Sequence, residues 1–190
     1  GAVTVFITVA NPKNLLQRVQ EIEYFNGFGF LPKMLARVNA LMVTPGPMSI
    51  YRTDVLRKIG GFDEKNMTED MEIALRLHDH GYHIDCCSHI TVPTEVPLTL
   101  KHLYRQRVRW YRGTLFNLNK YKHMMLNGRY GDFGLFSYPS TFIFVGFSLI
   151  SSMILAFRLF QSLWDGFSVF LSWLSLSMIP PLSSMQFASP

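Results

Sequence analysis

Residues 2–22 read AVTVFITVANPKNLLQRVQEI, and the change of period inside this stretch decides the fold class. Ala2 to Ala10 are apolar and β-branched without a helical repeat, the pattern of a buried strand ending at Asn11. Asn11 and Pro12 then stand as a helix cap and a first-turn proline, and Leu15, Val19 and Ile22 recur at helical spacing until Gly27 stops the helix. A strand that runs straight into a helix predicts an α/β domain. Further along, Leu41 to Thr44 reads as a second short strand. It is broken by Pro45-Gly46-Pro47, where Gly46 lets backbone approach a ligand closely. Asp54 to Ile59 reads as a short helix closed by Gly60-Gly61. Thr68 as cap, Ile73, Ala74 and Leu77 on one face and Gly81 as terminator predict a helix over Glu69–His80. Tyr82–Cys87 and His89–Val92 read as short strands.

After Pro97 the character changes to one basic and aromatic helix, from about Thr99 to Asn127, ended by Gly128. Two uncharged stretches follow, Leu135–Phe157 and Gly166–Pro190, which approach or exceed the roughly 20 apolar positions a spanning helix requires. Pro180 and Pro181 suggest a break in the second. The division is therefore residues 1–97, an α/β half-domain; 98–128, an amphipathic interface helix; and 133–190, a membrane region with one helix about 135–157 and a second apolar segment about 166–190.

Composition agrees: 48% of residues are hydrophobic and only 16% charged. Much of the net charge of +5 gathers before the first apolar stretch, in Lys101, Arg105, Arg107, Arg109, Arg112, Lys120, Lys122 and Arg129. By the positive-inside tendency that side faces the cytoplasm, in an integral protein of the plasma membrane. Nucleic-acid binding, the other reading of such cations, gives way to the adjoining membrane segment, so no nucleic-acid partner is expected. Cys86 and Cys87 are neighbours that would point to opposite faces of a strand, which argues against a disulfide between them. His78, His80, His83 and His89 crowd the same span, but their spacing does not converge on an ion, and no metal ligand is assigned. The chain starts at Gly1 with no leader, and reads as a piece of something longer.

Three groups of residues carry chemistry. Thr68-Glu69-Asp70 sits at a helix start, where free N–H groups and the positive dipole end hold a carboxylate ionised, as a general base requires; the plain alternative is capping and dipole complementation. Gln106, Arg109, Trp110 and Gly113 stand at i, i+3, i+4 and i+7 of a helix, with Arg107 beside them. A guanidinium pairs with phosphate oxygens while an indole covers a pyranose face; a basic helix lying on anionic lipid is the alternative. Gly46 to Arg52, with Ser49 between, forms a loop that a ligand can approach and Arg52 can close over.

In order, Gly46-Pro47-Met48-Ser49-Ile50-Tyr51-Arg52, Gly60-Gly61-Phe62, Thr68-Glu69-Asp70, Thr94-Glu95-Val96-Pro97 and Gln106-Arg107-Val108-Arg109-Trp110 resemble the family 2 glycosyltransferases that make hyaluronan, chitin, cellulose and poly-N-acetylglucosamine. The resemblance covers residues 12 to 160. It implies the second half of a GT-A (Rossmann-like) domain followed by transmembrane helices. It also implies an inverting transfer from a nucleotide-sugar donor, such as a UDP-linked hexose or N-acetylhexosamine, to a growing polysaccharide at the lipid bilayer. Asp70 matches the base; Gln106, Arg107 and Arg109 match the lining of the pyrophosphate; Trp110 matches the acceptor platform. Glu69, Thr68 and the loop of Gly46, Ser49 and Arg52 match the acceptor wall. The family's D-x-D motif, which holds Mg²⁺ or Mn²⁺, has no match here. The residues by themselves are therefore expected to be inactive, with the metal belonging to the complete enzyme. A single-sugar transferase to a lipid-linked acceptor and a non-catalytic membrane scaffold are the alternatives.

Overall fold

In the computed structural model, which describes residues 1–177, the first strand is the middle of the sheet. β1 (Ala2–Val9) pairs antiparallel with β2 (Ser49–Tyr51) and parallel with β3 (Ile84–Thr94). With neighbours on both sides and cover on both faces, Ala2, Thr4, Val5, Ile7 and Val9 are all buried, as a nearly continuous apolar run demands. The expected strands at 82–87 and 89–92 are one strand, whose register slips between Val5 (opposite Cys87) and Phe6 (opposite Thr91).

Leu41–Thr44 is not a strand. Its backbone is spent elsewhere, because both the amide and the hydroxyl of Thr44 donate to the carbonyl of Asp70, at 3.2 and 2.8 Å. The short helix α3 (Thr53–Lys58) stands where expected and turns out through Gly60 and Gly61, both with positive φ.

The first helix departs more from expectation. α1 (Leu15–Tyr24) is capped by Asn14, whose Oδ1 accepts from the amide of Gln17 at 2.9 Å; Asn11 instead adopts φ 41° in the preceding turn. Leu15, Val19 and Ile22 face outward at 78%, 56% and 66% exposure, while Gln17 and Gln20 are buried. The chain leaving β3 has carbonyls with no ladder partner, and two amide side chains satisfy them: Gln17 Nε2 donates to Val96 O at 3.2 Å and Gln20 Nε2 to Pro97 O at 2.9 Å. Gly27 does not stop the helix, which continues through a π-helical segment, Phe25–Phe30, into α2 (Leu31–Arg37).

α4 (Glu69–Asp79) buries Ile73, Ala74 and Leu77 against Ala2, Leu41, Val55, Ile59 and Ile84. Its other flank, Met71 and Leu75, packs with Leu118, Tyr121, Met124, Phe133 and Tyr138. α5 (Leu100–Lys120) begins at its Thr99 cap but ends seven residues before the expected Asn127; short 3₁₀ turns, Lys122–Met124 and Gly128–Tyr130, follow.

Residues 1–143 make one compact unit and the remainder a second. One helix about 135–157 and a second apolar segment about 166–190 are expected; α6 (Tyr138–Ser177) runs as one helix from the first stretch into the second, and Arg158 and Asp165 lie exposed along it. The stretch Phe133–Leu174 is long and apolar enough to cross a membrane. Pro180, Pro181 and the rest of the second apolar segment lie outside the described residues.

Candidate active site

Asp70 occupies the first turn of α4, where Thr68 is the N-cap by position but makes no capping bond with its side chain. The Asp70 carboxylate accepts from the amide of Met71 at 2.8 Å. Burial pushes its pKa above the ordinary carboxylate value. The Met71 amide pulls it back, the neighbouring Glu69 adds to the rise and the Arg109 guanidinium opposes it. A carboxylate that is partly desolvated, and still drawn toward ionisation by one cation, suits proton abstraction near neutral pH.

Asp70 and Trp110 line the same cleft, about 140 Å³, together with Thr68, Met71, Thr114, Phe28 and Val43. Of the face expected to converge on Asp70, the Trp110 indole shares this cleft while Gln106 and Arg109 are not among its lining residues, and the lining is largely apolar. Trp110 is held from two sides: the Phe28 ring meets it edge-on at 6.1 Å, and the Arg107 guanidinium lies over it, 4.4 Å from the ring centre.

The remaining expected residues divide. Arg109 is exposed and close enough to Asp70 to affect its charge. Arg107, expected on a pyrophosphate, instead donates to Glu23 at 2.6 Å, so part of its fork is engaged. Gln106 reaches the Tyr24 hydroxyl, and its own amide oxygen is buried without a hydrogen-bond partner. Glu69 is exposed at the helix start.

The loop does not form the wall expected of it, because none of Gly46, Ser49 and Arg52 lines the cleft. Ser49 turns back to donate to Pro45 O, and the Arg52 guanidinium is paired with Asp54. Contact with α4 passes through Tyr51 and Thr44 instead. The Tyr51 hydroxyl donates to Thr44 Oγ1 at 2.9 Å, and Thr44 donates to the Asp70 carbonyl. Burial raises the Tyr51 pKa, with the Asp70 and Glu69 charges adding to the rise, so it stays a neutral donor.

Sequence reasoning missed the supports beneath the site. Glu72 is buried and receives hydrogen bonds from Arg76 (2.7 Å), Lys120 (2.9 Å) and Tyr121 (2.6 Å), which joins α4 to α5. Burial and the Glu72 contact both raise the Tyr121 pKa. The spacing of Glu72 and Arg76 at i, i+4 was a legible signal for the first of these bonds. Gly113, Thr114 and Asn117 continue the Trp110 face of α5 by simple helical spacing.

Among the described residues no three His, Cys, Asp or Glu side chains are grouped to hold a metal ion. His78 is committed to Leu41 O at 2.8 Å and to a stack on Phe133, and Glu72 faces cations. The residues present do not fit the Mg²⁺ or Mn²⁺ that the resemblance implies.

Residues 1–183 match the model of the family described as "Glycosyl transferase family group 2". Curated proteins named poly-beta-1,6-N-acetyl-D-glucosamine synthase are similar over 113 residues, 60% of this chain. That of Staphylococcus epidermidis is 29% identical. That of Staphylococcus aureus (strain COL) is 30% identical over the same length. The match covers 27% of each relative, so the chain spans about a quarter of their length.

Proposed function

The chain belongs to glycosyl transferase family group 2, and on that premise we propose that it carries the acceptor-side, base-bearing part of an inverting glycosyltransferase that extends a polysaccharide at a membrane. The observation that supports this reading most directly is the cleft shared by Asp70 and Trp110. An acceptor sugar laid on the indole brings a hydroxyl toward the Asp70 carboxylate. The carboxylate takes the hydroxyl proton as the oxygen attacks the donor's anomeric carbon. The bond from that carbon to the nucleoside diphosphate breaks on the opposite side, and configuration inverts. Arg109, whose charge is felt at Asp70, is the cation we assign to the departing diphosphate, with Gln106 and Arg107 beside it on α5.

The similarity to poly-beta-1,6-N-acetyl-D-glucosamine synthases favours a UDP-linked N-acetylhexosamine as donor and a growing polysaccharide as acceptor. The apolar stretch Phe133–Leu174 supports a site at the bilayer, and the basic residues preceding it favour the cytoplasmic face. The divalent cation of the full enzyme belongs to residues other than those described.

The test is Asp70→Asn in the full-length protein, with polymer formation and nucleotide affinity measured side by side. The amide keeps size and most hydrogen bonds but cannot take the proton, and a positioned base is worth about 10²- to 10⁴-fold in rate. Turnover is expected to collapse while nucleotide binding survives. Polymer made at near the parent rate places the base elsewhere and refutes the reading.

A further inference from the structure

We propose that Asn117 is a positioning residue, fixing the distance between Asp70 and Trp110 by locking the Thr68 side chain onto α5; this rests on the reading of Asp70 as the base. Thr68 directly precedes the first turn of α4, where a threonine ordinarily turns its hydroxyl back on the helix amides, yet it makes no such bond. Its hydroxyl goes outward instead. Asn117 Nδ2 donates to Thr68 Oγ1 at 3.0 Å, with longer contacts to Thr68 O (3.4 Å) and Asn66 Oδ1 (3.3 Å).

Asn66 completes the link. Its Nδ2 donates to Asn117 Oδ1 at 2.7 Å, and its Oδ1 accepts from the Thr68 amide at 3.1 Å. All three residues are buried, Asn117 completely at 0% exposure. A buried leucine would fill space as well, so a fully satisfied amide is evidence of specified geometry rather than of packing alone.

Shape enforces the same contact. A Cβ placed on Gly113 would overlap the Thr68 hydroxyl and methyl, so α5 approaches the start of α4 as closely as it does only because residue 113 has no side chain. Trp110, Gly113 and Asn117 lie along one face of α5, and Asp70 follows Thr68 by two residues. The platform is therefore built into the same helix that grips the base-bearing turn. Any slack at Thr68 changes the separation of proton acceptor and sugar, and misplacement by about 1 Å can cost 10²-fold in rate.

The experiment uses full-length enzyme in membranes with UDP-N-acetylglucosamine as probe, comparing Asn117→Ala, Thr68→Val, Thr68→Ser and the double variant Asn117→Ala/Thr68→Val. Asn117→Ala and Thr68→Val are each expected to lower kcat by about 10- to 100-fold while KM for the nucleotide sugar moves less than about twofold. Thr68→Ser, which keeps the hydroxyl, should restore most of the kcat that Thr68→Val loses. The double variant should be no slower than the slower single one, because both remove one contact. Tyr130→Phe, which removes a bond to Asp79 at the far end of α4, should lower Tm and leave kcat alone.

Parent-like kcat in Thr68→Val overturns the proposal, including where Asn117→Ala fails to fold. So does a multiplicative loss in the double variant. An active Asp70→Asn enzyme sinks the base assignment, whereas an inactive Asp70→Asn with unaffected Asn117 and Thr68 variants sinks only the positioning role.

Discussion

Acidification should loosen the helix that bears Asp70, through His78. This imidazole sits at 4% exposure in the last part of α4. Its Nε2 must carry the proton, since its partner at 2.8 Å is the carbonyl of Leu41, and its ring stacks on Phe133 with centres 3.9 Å apart. Burial holds its pKa down to about 4, against 6.5 for a free imidazole; the Leu41 carbonyl resists that drop and the nearby His83 adds to it. The folded-state value lies below the unfolded one. The stabilisation is therefore complete above the unfolded pKa and drains away as pH falls from about 6.5 toward 4. At pH 5 the loss relative to neutral pH amounts to about 2 kcal/mol, or roughly 4–8 °C in Tm for a unit of this size. Asp79, at the end of the same helix, is paired with His123 of the following 3₁₀ turn, so the quantity to read is the difference between parent and His78→Gln. Glutamine keeps a donor for Leu41 O but cannot be protonated. Differential scanning fluorimetry of the purified full-length protein from pH 7.5 to 5 should show a steeper fall for the parent than for the variant. Parallel curves would refute the linkage.

Replacing Arg109 with Lys should weaken nucleotide-sugar binding several-fold more than it slows turnover, since a point cation does not reproduce a planar fork; titration calorimetry with UDP checks this. Trp110→Ala should spare UDP affinity and raise the acceptor KM by about tenfold, as expected for loss of a stacking platform. The acid limb of kcat/KM should lie above the ordinary carboxylate value, about 3.9. It should move to lower pH in Glu69→Gln, which removes a charge that raises the Asp70 pKa, and to higher pH in Arg109→Gln, which removes one that lowers it; a limb unmoved by both separates it from Asp70. Leu75→Ala, at 0% exposure between α4 and α5, should cost about 2–5 kcal/mol of stability by chemical denaturation.

Elements governed by local chemistry were legible in the sequence. β1, α3 and α4 follow from β-branched runs, a Gly-Gly stop and one apolar face, and each stands within a residue or two of expectation. Asp70 and Trp110 were singled out by residue type and spacing, with plain alternatives open until the ordered motifs and their resemblance joined them, and they do share a cleft. What escaped depends on partners distant in sequence. The inward face of α1 is set by two carbonyls at 96 and 97, which turn Gln17 and Gln20 inside and the stripe of Leu15, Val19 and Ile22 outside. Leu41–Thr44 looks like a strand until Asp70 claims its hydrogen bonds. The orientation of Arg52 toward Asp54 is a surface choice between near neighbours that no periodicity records. The unbroken α6 shows that one arginine and one aspartate seven residues apart do not end a helix whose other residues favour it.

The outward stripe on α1 and α2 bears on handling. Leu15, Val19, Ile22, Phe25, Phe30, Leu31 and Met34 are each at least half exposed along one continuous run of helix. Soluble monomers rarely leave contiguous apolar patches larger than a few hundred Å² uncovered. In dilute buffer, with nothing laid over it, this surface is adhesive. Residues 1–143 prepared alone would self-associate as concentration rises, scatter light before they unfold, and be rescued by mild detergent rather than by added salt, because kosmotropic salt strengthens apolar contact. Light scattering across a dilution series is accordingly the first quality control for any preparation built on this part of the chain.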